Sequence, residues 1–322
     1  MIKVLKKVSL KDPLFIACWP GMGEVAIKAG LFLKEALGFK PFARVQNSGL
    51  FAPQAIISHK GLLSLPEIEE GTFYFYKGPK GKQDIVLFLA QAQPPMEKAY
   101  QFAQMLIDFV AGLNVSRVFT FAAFPQAIEH THPPAVWICA SDKALLNEYA
   151  KQSLKVLDEG QISGLNGLLL GAGLTEKKIK GACLLGEVPF YTIQIENPKA
   201  TLAVLKVFDS QFKLNLDFRS LEQKASFLEK EINKLISYLK GEAPLQENLP
   251  LSEEDIQKIK KDLESFTKLP QSARTTIENL FQKASRNLSH ASELKKALDE
   301  WGVYKEYEDR FLDLFKKKRL DH

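Results

Sequence analysis

The chain has 322 residues, 46% hydrophobic and 25% charged, a composition that excludes a disordered chain and a length that exceeds one typical domain. Against 38 acidic residues stand 43 basic ones, a formal charge of +5, which gives little support to nucleic-acid binding. Cys18, Cys139 and Cys183 lack both disulfide and metal spacing, and no apolar run is long enough to span a bilayer, so the chain reads as a soluble protein of the reducing cytoplasm.

In chain order, Leu14–Cys18 reads as a buried strand, Pro20 to Gly23 as a turn and 24–37 as a helix with Val25, Ile27, Leu31 and Phe32 as apolar surface. The apolar stretch before Pro20 is too short for a secretory core and ends in Pro-Gly. Further strands are expected at 72–76, Ile85–Leu89, 118–121, 135–139 and 182–185, with helices around 95–110 and 143–151. Strands alternating with helices predict βαβ units: an α/β domain over residues 1–220, built on a mostly parallel sheet with helices on both faces. A glycine-rich segment, 163–173, leads into the last strand.

From Asp217 the pattern becomes purely helical. Leu221, Ala225, Leu228, Ile232, Leu235 and Leu239 form an apolar seam that requires a covering partner, with packing in the core as the first expectation. Residues 241–250 read as a linker within a helical region, 221–322. Beyond it Ser252 and Asp255 resemble a helix start, Pro270 a break, and Trp301, Tyr304, Phe311 and Phe315 share a helical face before the basic run 316–319.

Few constellations carry chemistry. Gly21-Met22-Gly23-Glu24-Val25-Ala26 follows a strand and opens a helix, as a dinucleotide fingerprint would, but no acid stands between Glu35 and Glu67 to hold a ribose. Glu24 would also repel a phosphate at that helix start, so a tight structural turn is the first reading. His130 and His132 could offer two imidazoles to a metal if the segment were extended. No third ligand is evident, and Pro133-Pro134 makes solvent-facing loop histidines the expectation. Asp142 reads as a helix cap and Cys139 as a buried thiol. Gly164, Asn166 and Gly167 set one polar side chain among leucines and backbone that can be closely approached, which suits a ligand crevice or a close packing contact equally. Glu187 would sit at a strand end, where parallel sheets bind ligands, but sequence shows it no catalytic partner.

Three ordered motifs, Trp19-Pro20-Gly21-Met22-Gly23, the stretch from Ile162 through Gly164-Leu165-Asn166-Gly167 to Gly171, and Cys183-Leu184-Leu185-Gly186-Glu187, resemble the PAC2 family of proteasome-assembly-chaperone-2-like proteins. Some prokaryotic members of that family have been called ATP-grasp enzymes. The resemblance extends over about 16–239 and includes Asn197-Pro198-Lys199-Ala200 before a helix. It implies a three-layer αβα domain of phosphorylase/hydrolase-like type, a helical C-terminal extension and homo-oligomers, with eukaryotic members chaperoning proteasome assembly without catalysis and most prokaryotic members having no established activity. Since the residues offer no convergent nucleophile, base or metal set, the expectation is a chaperone-like protein-binding role without catalysis, metal or cofactor. The residues expected to form a crevice or interface are Trp19, Pro20, Gly21, Met22, Gly23, Gly164, Asn166, Gly167 and Glu187. The alternative is a nucleotide or nucleoside binder, or an enzyme, using the same strand-end crevice. Glu24 and Ala26 stand where the family often has Asn and Gly, and 319–322 lacks the hydrophobic-tyrosine-any-residue tail by which archaeal relatives can dock on the proteasome.

Overall fold

A computed structural model describes residues 1–46, 48–51, 56–64, 70–149, 152–162, 164–239, 271–286, 288–300 and 304–316. Its strands are β1 (Ile2–Val4), β2 (Leu14–Cys18), β3 (Lys40–Val45), β4 (Ile57–His59), β5 (Leu62–Ser64), β6 (Gly71–Tyr76), β7 (Ile85–Leu89), β8 (Arg117–Gln126), β9 (Val136–Ala140), β10 (Lys155–Val156) and β11 (Lys180–Pro189). Helices α1 (Val25–Ala36), α2 (Met96–Ala111), α3 (Lys143–Glu148), α4 (Gly164–Lys177), α5 (Pro198–Phe212) and α6 (Arg219–Leu239) complete the α/β body.

Nine strands form one sheet in the order β1-β3-β6-β7-β2-β8-β11-β9-β10. Its centre, β7-β2-β8-β11, is parallel, while β6 and β9 flank it in the antiparallel sense. Every residue of β2 and β7 is buried, as expected of strands covered on both faces, and this explains why their sequences are unbroken apolar runs. Helices α1 and α5 pack on one face, α2 and α4 on the other, giving the expected three layers. A phenylalanine cluster fills the second interface, with Phe73 4.6 Å from Phe88 and 4.7 Å from Phe109 between ring centroids.

Local chemistry sets the helix starts. Asp142 Oδ1 accepts from the Leu145 amide at 2.9 Å, the expected cap of α3. Asn197 Oδ1 accepts from Ala200 at 3.0 Å, and Pro198, which has no amide proton to leave unsatisfied, opens α5.

The glycine-rich stretch that leads into the last strand is helical from Gly164 to Lys177. Burial of Leu165, Leu169 and Ala172 against α2 and the sheet outweighs the weak helix propensity of glycine. The seam of α6 finds its cover at home: Leu221 joins the main core, and Ile232 and Leu235 pack on Tyr191 and Ile195. Helices Gln271–Arg286, Ala291–Glu300 and Tyr304–Lys316 bury Ile277, Phe281, Leu294 and Phe311 in a core of their own. Phe311 lies between Tyr304 and Phe315, as the aromatic spacing suggests. The linker 241–250, Ser252, Asp255, Pro270, Trp301 and the run 317–322 lie outside the described residues. Among the described residues no helix is long and apolar enough to cross a membrane.

Candidate functional site

Parallel strands β2, β8 and β11 share their carboxyl ends, and above them lies a crevice of about 370 Å³. The turn after β2 contributes Trp19, Gly21 and Met22, the start of α4 contributes Gly164 and Asn166, and Phe124 of β8 lines one wall. Five of the sequence-derived site residues therefore meet here. Met22 is 45% exposed, whereas Trp19 is almost wholly enclosed at 1%. Two buried polar atoms, Trp19 Nε1 and Asn166 Oδ1, have no hydrogen-bond partner among the described residues. Among those residues no ionisable side chain lines the crevice.

Pro20 faces a neighbouring cleft with Glu24 and Lys28, and its carbonyl accepts from Gln93 Nε2 at 2.7 Å. Gly23 turns away from the crevice. Its φ of +60° is open to glycine at little cost, its amide donates to the Ile193 carbonyl at 2.7 Å, and its carbonyl accepts from Asn197 at 2.8 Å. The Glu24 amide donates to Gly21 and the Val25 amide to Met22. The amides of Gly23, Glu24 and Val25 thus find acceptors inside the fold, and the Glu24 carboxylate pairs with Lys28 at 3.1 Å. The fingerprint-like glycines make a tight turn in which the Gly23, Glu24 and Val25 amides are taken up by backbone carbonyls, which favours a structural turn over a phosphate cradle. Gly167 serves close approach: a Cβ there would fall 2.1 Å from the Ile162 carbonyl oxygen.

Glu187 does not share the crevice. Strand β11 runs on past Gly186, and the carboxylate turns to β9, the antiparallel neighbour. There Oε1 accepts from Trp137 Nε1 at 2.8 Å and from Lys155 Nζ at 2.9 Å, and Oε2 accepts from the Ala135 amide at 3.0 Å. Burial pushes the acid up, but the Trp137, Lys155 and Ala135 hydrogen bonds outweigh it and hold the carboxyl below its ordinary range. Trp137 in turn meets Phe124 edge-on at 5.0 Å, so Glu187 supports one wall of the crevice from behind.

His130 is half-buried, not solvent-facing. Its Nε2 lies 2.9 Å from Asn233 Oδ1 on α6 and its Nδ1 2.8 Å from the Tyr191 hydroxyl. Because an amide oxygen only accepts, Nε2 carries the proton and Nδ1 accepts from Tyr191. Lys199 Nζ donates to the His130 carbonyl at 2.8 Å and to Glu229 at 2.6 Å. The docking of α6 through His130 is the feature sequence reasoning missed, since Asn233 lies 103 positions away. His132 is exposed, and no group of three potential metal ligands occurs among the described residues. Cys139 and Cys183 oppose each other across β9 and β11, and burial pushes both thiols up.

A family model for the PAC2 family matches residues 15–236, a span that holds the crevice, Glu187 and most of α6. The chain belongs to the PAC2 family. It resembles PbaB of Pyrococcus furiosus, an archaeal proteasome activator, at 25% identity and a TM-score of 0.63, covering 73% of this chain and 98% of that one. It also resembles P. furiosus PbaA, an archaeal homolog of proteasome-assembly chaperone, with 22% identity, a TM-score of 0.56 and coverage of 72% and 95%. An uncharacterized protein of Methanocaldococcus jannaschii is 27% identical over 266 residues, 80% of this chain and 98% of that protein.

Proposed function

We propose that this PAC2 protein is a non-catalytic, protein-binding factor of assembly-chaperone type that acts in the cytoplasm as a homo-oligomer. One observation carries the reading: among the described residues, the crevice at the carboxyl ends of β2, β8 and β11 is lined by no acid, base or charged nucleophile. General acid-base or nucleophilic chemistry needs such groups in mutual reach. The buried carboxylate behind its wall, Glu187, is occupied in holding β9 and β10. The likeness to PbaB and PbaA supports a partner related to the proteasome. Exposed aliphatic side chains on the β4-β5 hairpin, Ile57, Leu62 and Leu63, supply apolar surface that self-association would cover.

Sedimentation velocity of the chain mixed with proteasome α subunits from the same source tests this. A complex that sediments faster than either component supports the reading; independent sedimentation at micromolar concentration, together with saturable turnover of any nucleotide, overturns it.

The second reading, a nucleotide, nucleoside or other small molecule in the crevice, rests on the unpartnered Trp19 Nε1 and Asn166 Oδ1. A ligand that supplied an acceptor and a donor would satisfy both. It predicts a dose-dependent rise in melting temperature with that ligand, lost in Asn166→Ala.

A further inference from the structure

The opposite end of the sheet, where β2, β7, β8 and β11 begin, is different in character. Strand register sets Leu14 beside Ile85 and Arg117, and Arg117 beside Lys180, so the segments that precede these strands crowd together. Between the chain before β2 and the loop joining β6 to β7 lies a groove of about 400 Å³ whose rim carries Lys11, Lys77, Lys80 and Lys82.

This groove is built rather than merely decorated with lysines. Asp84, 6% exposed, accepts from the Gly78 amide at 2.9 Å through Oδ1 and from the Lys11 amide at 2.8 Å through Oδ2. One inward-turned carboxylate therefore fixes both lysine-bearing walls. Lys77 Nζ donates to the Ser9 carbonyl and Lys82 Nζ to the Leu214 carbonyl, each at 3.1 Å. Gln83 Nε2 ties the loop to the Asp12 carbonyl. Carbonyl partners orient these ammonium groups without neutralising them.

Charge pairing separates the groove from its surroundings. Arg117 pairs with Glu148 at 2.6 Å, Lys177 with Asp108 at 2.7 Å and Lys180 with Asp142 at 3.3 Å. None of the four groove lysines has a carboxylate within ion-pair distance among the described residues. Among those residues Asp12 is the one exposed acid on the rim, and the local balance stays positive.

We propose that this groove docks a carboxylate-rich segment of a partner protein. The inference rests on the protein-binding reading above and names the chemistry of the partner. Positive point charges on lysine suit scattered carboxylates, whereas the described rim carries no arginine fork for bidentate phosphate and no aromatic face on which a base could stack. Preorganisation by Asp84 limits the conformational entropy lost when the segment binds.

The test uses the full chain and a fluorescein-labelled oligoglutamate peptide, followed by anisotropy at low ionic strength. Lys11→Glu with Lys80→Glu should weaken binding by about tenfold or more, because like charges then meet at the groove. Lys230→Glu, on an exposed position of α6, removes the same kind of charge elsewhere and should leave affinity within about twofold. Lys11→Ala with Lys80→Ala, checked for an unchanged melting temperature, guards against misfolding of the reversal variant and should still weaken binding. Absence of peptide binding, or an equal loss in Lys230→Glu, overturns the site. Tighter binding of an oligothymidylate of matched length overturns the partner class. The α-subunit sedimentation experiment is independent of this peptide, so failure of the groove and failure of the protein-binding reading are separable.

Discussion

Glu187 Oε1 accepts the indole proton of Trp137 at 2.8 Å, across the antiparallel pair that closes the sheet beyond β11. Together with Lys155, whose Nζ also lies 5.1 Å from the centre of the Trp137 ring, this contact ties β9 and β10 to the sheet. Glu187→Ala should therefore cost about 1–2 kcal/mol in urea unfolding, since it leaves the half-buried Trp137 and Ala135 donors without their acceptor. Glu187→Gln should cost less, because its amide oxygen still accepts. A loss of partner binding in Glu187→Gln at unchanged stability would assign the residue a direct role instead.

Two glycines of α4 should respond in opposite directions. A methyl group added at Gly171 would find nothing within 4 Å, so Gly171→Ala should stabilise the fold by about 0.5–1 kcal/mol through helix propensity. At Gly167 the same methyl would meet the Ile162 oxygen at 2.1 Å, and Gly167→Ala should cost more than about 2 kcal/mol. Thermal unfolding of the pair decides the matter, and equal effects would show that α4 starts elsewhere.

Docking of α6 should depend on pH. Burial holds the His130 imidazole below its ordinary value of 6.5, and this outweighs the opposing hydrogen bond to Asn233 and the charges of Glu229 and Glu129, with Lys199 acting in the same sense as burial. The unfolded chain then binds the proton more readily than the folded one, so stability is complete above about pH 6.5 and declines as pH falls through the lower folded value. Melting temperature should drop between about pH 7 and pH 5, and His130→Gln should flatten that part of the profile. An unchanged slope in the variant would show that another group sets it.

Asn166→Leu separates the two functional readings. If no ligand occupies the crevice, exchanging a buried, unpartnered amide oxygen for an apolar group should be neutral or stabilising by up to about 1 kcal/mol. A marked loss of stability in the protein as purified, with a ligand released on denaturation, would instead favour the small-molecule reading.

Much of this arrangement is legible in the sequence. Uninterrupted apolar runs mark β2 and β7 because both faces of those strands are covered, and Asp142 and Asn197 announce their helices through side chains that cap locally. The crevice is legible in part: Trp19, Gly21, Met22, Gly164 and Asn166 converge because a parallel sheet brings loop after loop to the same end. Glu187 is not, since its partners Trp137 and Lys155 lie 50 and 32 positions away and only the antiparallel pairing of β9 brings them near. The helix of α4 is hidden by glycines whose poor intrinsic propensity is offset by packing against α2. Short margin strands such as β1 and β10 carry too few residues for any period to show.

The most direct test of the assembly-chaperone reading is the rate at which proteasome α subunits form rings, followed by light scattering with and without the full chain at equal concentration. A chaperone of this kind should accelerate or redirect ring formation in proportion to the protein added, with no nucleotide required. Identical time courses at every concentration, with the α subunits competent to assemble alone, would contradict it.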